Sequence, residues 1–222
     1  MTRRETFVGL DGYPKGWVAV WLFPDRQEIE YIPNVDALLL RNFTRALIDM
    51  PIGLPEKGYR DCDIVARSLL GKNATRVFLG ARRFILACKD QPTANVVAKS
   101  LQDKGVSAQL FCLSEKLRQV DDVLTNDTQE RIMECHPELV FLRLNSHKPV
   151  PKKKLPEGQT IRIKLLEEHG FKHVREWVAK KPPKVKPDDI LDACACALAA
   201  REMNSRIGSG TDSKGLRMEI HY

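Results

Sequence analysis

The 222-residue chain has no run of about 18 apolar residues, so no segment reads as a membrane-spanning helix. Its first residues, Met-Thr-Arg-Arg-Glu-Thr, lack the apolar core of a signal peptide, and the expectation is an intracellular, cytoplasmic protein. The six cysteines (Cys62, Cys88, Cys112, Cys135, Cys194, Cys196) include no CxxC spacing, which argues against a zinc site and for reduced, buried thiols. Cys194 and Cys196 stand two apart on a helical pattern and point in different directions, so they chelate one ion poorly. Internal repeats and low-complexity segments are missing, which excludes solenoid and collagen-like classes. Aromatic residues make up 7% of the chain and form no series of the RRM or OB type.

What is present is enough apolar residue, 43%, to bury one large core. Lys and Arg number 36 against 29 Asp and Glu, a formal charge of +7 that suits an anionic partner, nucleic acid first among them. Oligomeric state is not legible.

The most informative feature is a set of acidic residues at the ends of apolar segments: Phe7-Val-Gly-Leu-Asp11-Gly12, Ala46-Leu-Ile-Asp49-Met-Pro-Ile-Gly53 and Asp188-Asp189-Ile-Leu-Asp192. Carboxylates at the C-terminal ends of buried strands are costly as ions unless paired or bound to a cation, so several converging ones point to Mg²⁺ or Mn²⁺. Phosphoester chemistry is the leading expectation.

Alternation predicts strands at Thr6–Asp11, Trp17–Phe23 and Glu28–Ile32, with a turn over Gly12–Gly16, in all a three-stranded meander. Asn34 is placed to cap a helix running to about Asn42, with Val35, Leu38 and Leu39 inward, before a strand at Arg45–Met50. Helices are expected at about Asp61–Leu70, Pro92–Lys104 and Leu110–Val123, then a short strand at Arg131–Cys135 and a helix opened by His136-Pro137-Glu138. Lys148–Pro156 reads as a Lys/Pro-rich linker. Further helices are expected at Glu157–His169, near His173–Lys180, and from Asp188 or Asp189 to about Asn204. Small residues fill the interior of the last one, which lets it lie close to a sheet and brings Asp192 near the strand ends. Residues 205–214 read as a turn-rich, mobile stretch, followed by a docking strand at Leu216–Tyr222.

These pieces carry a resemblance. Val8-Gly-Leu-Asp-Gly12 with Gly16-Trp17, Ile48-Asp-Met-Pro-Ile-Gly-Leu-Pro55, Arg60-Asp-Cys-Asp63 with Ala66-Arg67, and Arg76-Val-Phe78 resemble a family of predicted nucleases with a ribonuclease-H-like fold. The likeness continues in Glu134-Cys-His-Pro-Glu138, Lys154-Leu-Pro-Glu-Gly158 and Asp188-Asp-Ile-Leu-Asp192-Ala, so that it spans about residues 7 to 202. It implies an α/β fold with a mixed central sheet, three antiparallel strands then parallel ones, and helices on both faces. The expected organisation is one domain over 1–204 with a helical insertion at about 56–128 and a tail at 205–222. In that fold Asp11, Asp49 and Asp192 meet around divalent ions, with Glu134, at the end of a fifth strand, as a further catalytic candidate and Asp189 as a further metal ligand. Two such ions about 4 Å apart activate an attacking water and stabilise the leaving oxygen of a phosphoryl displacement.

Each residue also has a plainer role. Asp-Gly is a turn dipeptide, Asp49 is placed to anchor the loop ahead of Pro51, and Asp188 and Asp189 suit helix capping, whereas Asp192 lies one turn too deep for it. Asp188 and Asp192 share a face at four residues' spacing, so both can approach one ion. His136 reads as a helix-entry residue with a lesser claim as a proton shuttle, and His169 and His173 are separated by Gly170. Arg76, Lys153 and Lys154 are the candidates for phosphate contact, against a plain reading as solvated basic loops. The functional expectation is therefore a metal-dependent nuclease acting on DNA or RNA. The alternatives are a non-catalytic nucleic-acid-binding module on the same fold, or a small-metabolite phosphotransferase, the latter disfavoured by the missing Walker-type loop.

Overall fold

The computed structural model describes residues 5–222; Met1–Arg4, on which part of the leader argument falls, lie outside them. The chain folds into two compact units. One comprises the residues up to Asp49 with Arg131–Arg206 and His221–Tyr222, and the other Met50–Glu130 with Ile207–Ile220.

The first unit is an α/β structure around a five-stranded mixed sheet of order β3-β2-β1-β4-β5. Its strands are β1 (Phe7–Tyr13), β2 (Gly16–Leu22), β3 (Gln27–Ile32), β4 (Arg45–Ile48) and β5 (Ile132–Glu134). The first three form the antiparallel meander, and β4 and β5 add in parallel beside β1. The first turn is tighter than the composition suggests: β1 continues through Asp11 and Gly12 to Tyr13, which pairs with Gly16, so Pro14-Lys15 is a two-residue hairpin loop. Helix α1 (Asp36–Leu39) is shorter than expected. Asn34 does accept the Ala37 amide, at 3.2 Å, but one turn of helix leaves Leu39 facing solvent while Leu38 is buried.

Pleating sorts the parallel strands into rows. Gly9, Asp11, Leu47 and the residue position of Asp49 share one face with Val18, Val20 and Cys135, whereas Leu10, Ile48 and Glu134 form the alternate row. Four helices follow β5: α7 (Pro137–Leu144), α8 (Pro156–Glu168), α9 (Val174–Ala179) and α10 (Pro187–Glu202). Helix α10 is buried from Asp189 to Ala200, and its Ala and Cys side chains leave room for near-contact with β1. A Cβ on Gly9 would lie 2.0 Å from the Ala193 carbonyl oxygen, so no side chain fits there.

The second unit carries α2 (Asp61–Leu70), α3 (Gln91–Ser100), α4 (Ala108–Phe111), α5 (Ser114–Val123) and α6 (Asn126–Gln129), which bring the helices among the described residues to ten. The single helix expected at Leu110–Val123 is two, broken around Cys112-Leu113, with Ser107 capping the first through the Leu110 amide at 3.2 Å. Buried ion pairs hold this unit. Arg60 pairs with Asp63, and Arg82 donates to Asp103 and the Lys104 carbonyl, each at 2.8 Å. Residues 205–214 are turn-like as expected but well tied: the buried Asp212 carboxylate accepts the amides of Leu54, Lys214 and Leu216 at 2.8–2.9 Å and pairs with Arg83. Two short strands, β6 (Arg206–Ile207) and β7 (Ile220–His221), pair with one another. Among the described residues no helix is long and apolar enough to cross a membrane.

Candidate metal centre

Asp11 and Asp49 stand side by side where the parallel pairing of β1 with β4 ends. Leu10 and Ile48 are register partners on the parallel strands β1 and β4, and the Asp49 amide donates to the Leu10 carbonyl at 2.9 Å. The next residue of each strand is therefore an aspartate on the α10 face. Because Gly9 lets α10 lie against β1, Asp192, one turn into that helix, reaches the same point. One carboxylate oxygen of each of Asp11, Asp49 and Asp192 lies within 4.8 Å of the other two. Asp11 and Asp192 are buried and Asp49 is partly so.

Three like charges at one point in a desolvated place resist ionisation. Burial, then the charges of Asp49 and Asp192, raise the Asp11 carboxyl well above the usual carboxylate range, against the pull of Lys153. Asp49 is raised to about 8, by burial first and then by Asp192, with Lys153 again opposing. Asp192 is raised by burial too, although Lys153 sits directly on it. The Lys153 ammonium lies 2.6 Å from Oδ2 of Asp192 and 3.6 Å from Oδ2 of Asp188. Burial disfavours the ammonium, but Asp192, Asp11 and Asp49 outweigh it and raise its pKa. The other oxygen of Asp192, Oδ1, is buried and has no hydrogen-bond partner among the described residues. A buried carboxylate oxygen without a donor is a costly arrangement that a bound cation relieves.

The other candidates fall into place individually. The Asp11 carboxylate accepts its own neighbour's amide, Gly12 N–H, at 2.7 Å, but it does so from within a strand and not from a turn. Asp189 acts as a cap: its Oδ2 accepts the Lys186 amide at 2.8 Å, and burial raises its carboxyl to about 6. Glu134 is buried at the end of β5 but occupies the row of Leu10 and Ile48, so the pleat turns it to the face opposite the three aspartates; its charge still contributes to the rise at Asp49. Asp188 and Asp192 do share one cation, and that cation is Lys153. Lys154 is exposed, and Arg76 ends a 3₁₀ turn in the other unit. Arg82 and Arg83, in the same basic loop as Arg76, are engaged by Asp103 and by Asp121 with Asp212. His136 precedes α7 as its N-cap residue, and His169 Nδ1 lies 2.8 Å from the Leu165 carbonyl at the end of α8.

Two residues not singled out for the site prove important to it. Arg162, fully buried, donates to both oxygens of Glu138 at 2.7 and 2.9 Å, to the Pro151 carbonyl at 2.8 Å and to the Gly158 carbonyl at 3.0 Å. Gly158 lets the preceding segment lie on α8, since a Cβ there would meet the Lys152 carbonyl oxygen at 2.2 Å. The stretch 148–156 is largely exposed, but it is anchored at Pro151 and Lys152. It is folded down, with Val150 buried, and it delivers Lys153 to the aspartates. The available signal was Arg162 itself: it stands on the inward face of α8 with Gly158, Leu165 and Leu166, and an inward arginine requires a buried acid.

The model of a family described as a protein of unknown function, DUF429, matches residues 9–211. The chain belongs to this DUF429 family. The match takes in Asp11, Asp49, Lys153, Arg162 and Asp192 together, so the whole carboxylate centre and its lysine lie within the family's extent. No curated protein and no solved structure matches the chain.

Proposed function

We propose that this DUF429 protein is a metal-dependent nuclease of ribonuclease-H-like fold, with Asp11, Asp49 and Asp192 holding Mg²⁺ or Mn²⁺. The reading is carried by one observation: three aspartates, two at the end of the β1–β4 parallel pairing and one on a helix, converge within 4.8 Å, with a buried Asp192 oxygen left without a donor. Hard oxygen ligands of this kind suit Mg²⁺ or Mn²⁺, and the ion would supply charge stabilisation and activation of water for hydrolysis of a phosphodiester. The reaction adds water across one P–O bond and leaves a phosphomonoester and a free hydroxyl. The sheet order, a three-stranded meander followed by parallel strands, agrees with the order expected from the ribonuclease-H-like resemblance and supports the reading. Exposed Lys152 and Lys154 beside Lys153, and exposed Lys184 and Lys186 ahead of α10, provide positive charge in the same unit for a phosphate backbone.

The test is cleavage of labelled single- and double-stranded DNA and RNA with Mg²⁺, Mn²⁺ or EDTA, on wild type and Asp49→Asn. Metal-dependent cleavage lost in Asp49→Asn is expected; equal cleavage by both proteins would remove the aspartates from the chemistry. The Lys153–Asp192 ion pair favours a second reading, a nucleic-acid-binding module in which the lysine alone neutralises the acids. Binding without cleavage, unchanged by Asp49→Asn and weakening with salt, would select it.

A further inference from the structure

The position of Lys153 bears on how many ions the centre takes. The lysine reaches the aspartates from a fixed support. Arg162, itself anchored by both oxygens of Glu138, holds the Pro151 carbonyl at 2.8 Å, and Gly158 seats the Lys152 carbonyl against α8. Val150, next to Pro151, is buried. The backbone that carries Lys153 is thus held in place, and its partly exposed side chain is held in turn by the ion pair with Asp192. Its ammonium contacts Oδ2 of Asp192 and lies near Asp188, so one oxygen of the Asp192 carboxylate already holds a cation.

Charge points the same way. Asp11, Asp49 and Asp192 together carry three negative charges when ionised, and Lys153 returns one. For the three ligands alone the remaining two match one divalent ion, and Asp188, 3.6 Å from the same ammonium, adds one further negative charge beside Lys153. Oδ1 of Asp192, buried and without a hydrogen-bond partner among the described residues, remains as a ligand atom while Oδ2 is held by Lys153.

We propose that the centre binds one divalent cation, and that Lys153 permanently occupies the place of a second, as the cation that faces the phosphate of the substrate. This rests on the metal-centre reading above, and it separates the protein from a two-ion nuclease. Lys153 would serve as a substrate-positioning charge whose donors a phosphate oxygen can share with Asp192.

The experiment is a Mn²⁺ titration followed by electron paramagnetic resonance of the free ion, on the full chain as wild type, Lys153→Met, Lys153→Arg and Asp11→Asn. The expected stoichiometry is one ion per chain in wild type and Lys153→Arg, two in Lys153→Met at millimolar Mn²⁺, and none in Asp11→Asn. Two ions in wild type, or one in Lys153→Met, would overturn the proposal while leaving the metal centre intact. No Mn²⁺ bound by any of the four proteins would instead remove the metal reading on which it rests. Should Lys153→Met fail to fold, Lys153→Gln carries the same comparison, since it removes the charge and keeps a polar end beside Asp192.

Discussion

A Cβ on Gly9 would lie 2.1 Å from the backbone nitrogen of Ala197. The obstacle is helix backbone, which cannot rotate aside, so Gly9→Ala must push α10 off β1. Overpacking a well-filled core costs about 1–3 kcal/mol, occasionally more, and a clash with main chain belongs at the upper end. Urea denaturation of Gly9→Ala is expected to show a loss of about 3 kcal/mol. The displacement also carries Asp192 away from Asp11, so stabilisation by Mn²⁺ should fall in the same variant. A variant as stable as wild type would mean that α10 is not seated on β1 as described.

Arg162 and Glu138 form the buried pair that supports the Lys153 segment. Removing one member of such a pair costs about 3–5 kcal/mol, because the other charge stays buried without a partner, whereas replacing both by apolar groups is often close to neutral. Arg162→Met is therefore expected to be strongly destabilised and the double variant Arg162→Met/Glu138→Leu largely restored. The coupling energy from a double-mutant cycle measures this directly. A coupling near zero would show that the pair is not what fixes the segment.

Much of the first unit was legible because its signals are local. The β-branched alternation of Thr6–Asp11, the Pro at the start of α7 and the Ala-rich run of α10 each announce an element without reference to the rest of the chain. Asp11, Asp49 and Asp192 were legible as a group because each ends or enters an apolar element where a charge needs a reason. The pleat was harder to read. Glu134 ends β5 just as Asp49 follows β4, yet it stands one residue earlier in the register and so faces the other way. Lys153 is legible as a phosphate-contact candidate, but its ion pair with Asp192 is not, because the segment around it is Lys/Pro-rich and its placement depends on Arg162 and Gly158, which lie downstream on α8. Composition describes a segment's solubility; it does not reveal that another helix pulls the segment down.

The raised carboxyls give the metal-free protein a pH dependence of definite sign. Asp49 titrates at about 8 in the folded chain, whereas an unfolded aspartate titrates near 3.9. Between these values the folded state holds a proton that the unfolded state has lost, so stability falls as pH rises across that window and is flat on either side of it. The slope from this one group is at most about 1.4 kcal/mol per pH unit. Unfolding in urea with EDTA at pH 5, 6, 7 and 8 should show the decline, and Asp49→Asn should be shallower than wild type, most clearly between pH 7 and 8, where Asp189 has largely lost its proton. Parallel curves for the two proteins would mean that Asp49 ionises normally.

Asp11→Asn separates a metal ligand from a structural acceptor by opposite changes in one variant. The amide oxygen of Asn still accepts the Gly12 N–H, so the backbone contact survives. What disappears is one of three carboxyls that oppose one another's ionisation. Without metal at pH 8, where the carboxyl repulsion is greatest, the variant is expected to be more stable than wild type by about 0.5–2 kcal/mol, the usual gain when a functional compromise is relieved. With Mn²⁺ the order should reverse. An ion at 100 times its dissociation constant adds about 2.7 kcal/mol to the protein that binds it, and the variant has lost a ligand. Thermal unfolding of both proteins, with EDTA and with Mn²⁺, gives the four values needed. If Asp11 served only to accept the Gly12 amide, the two proteins would unfold alike in both conditions, and a crossing of the curves would have no origin other than the charge.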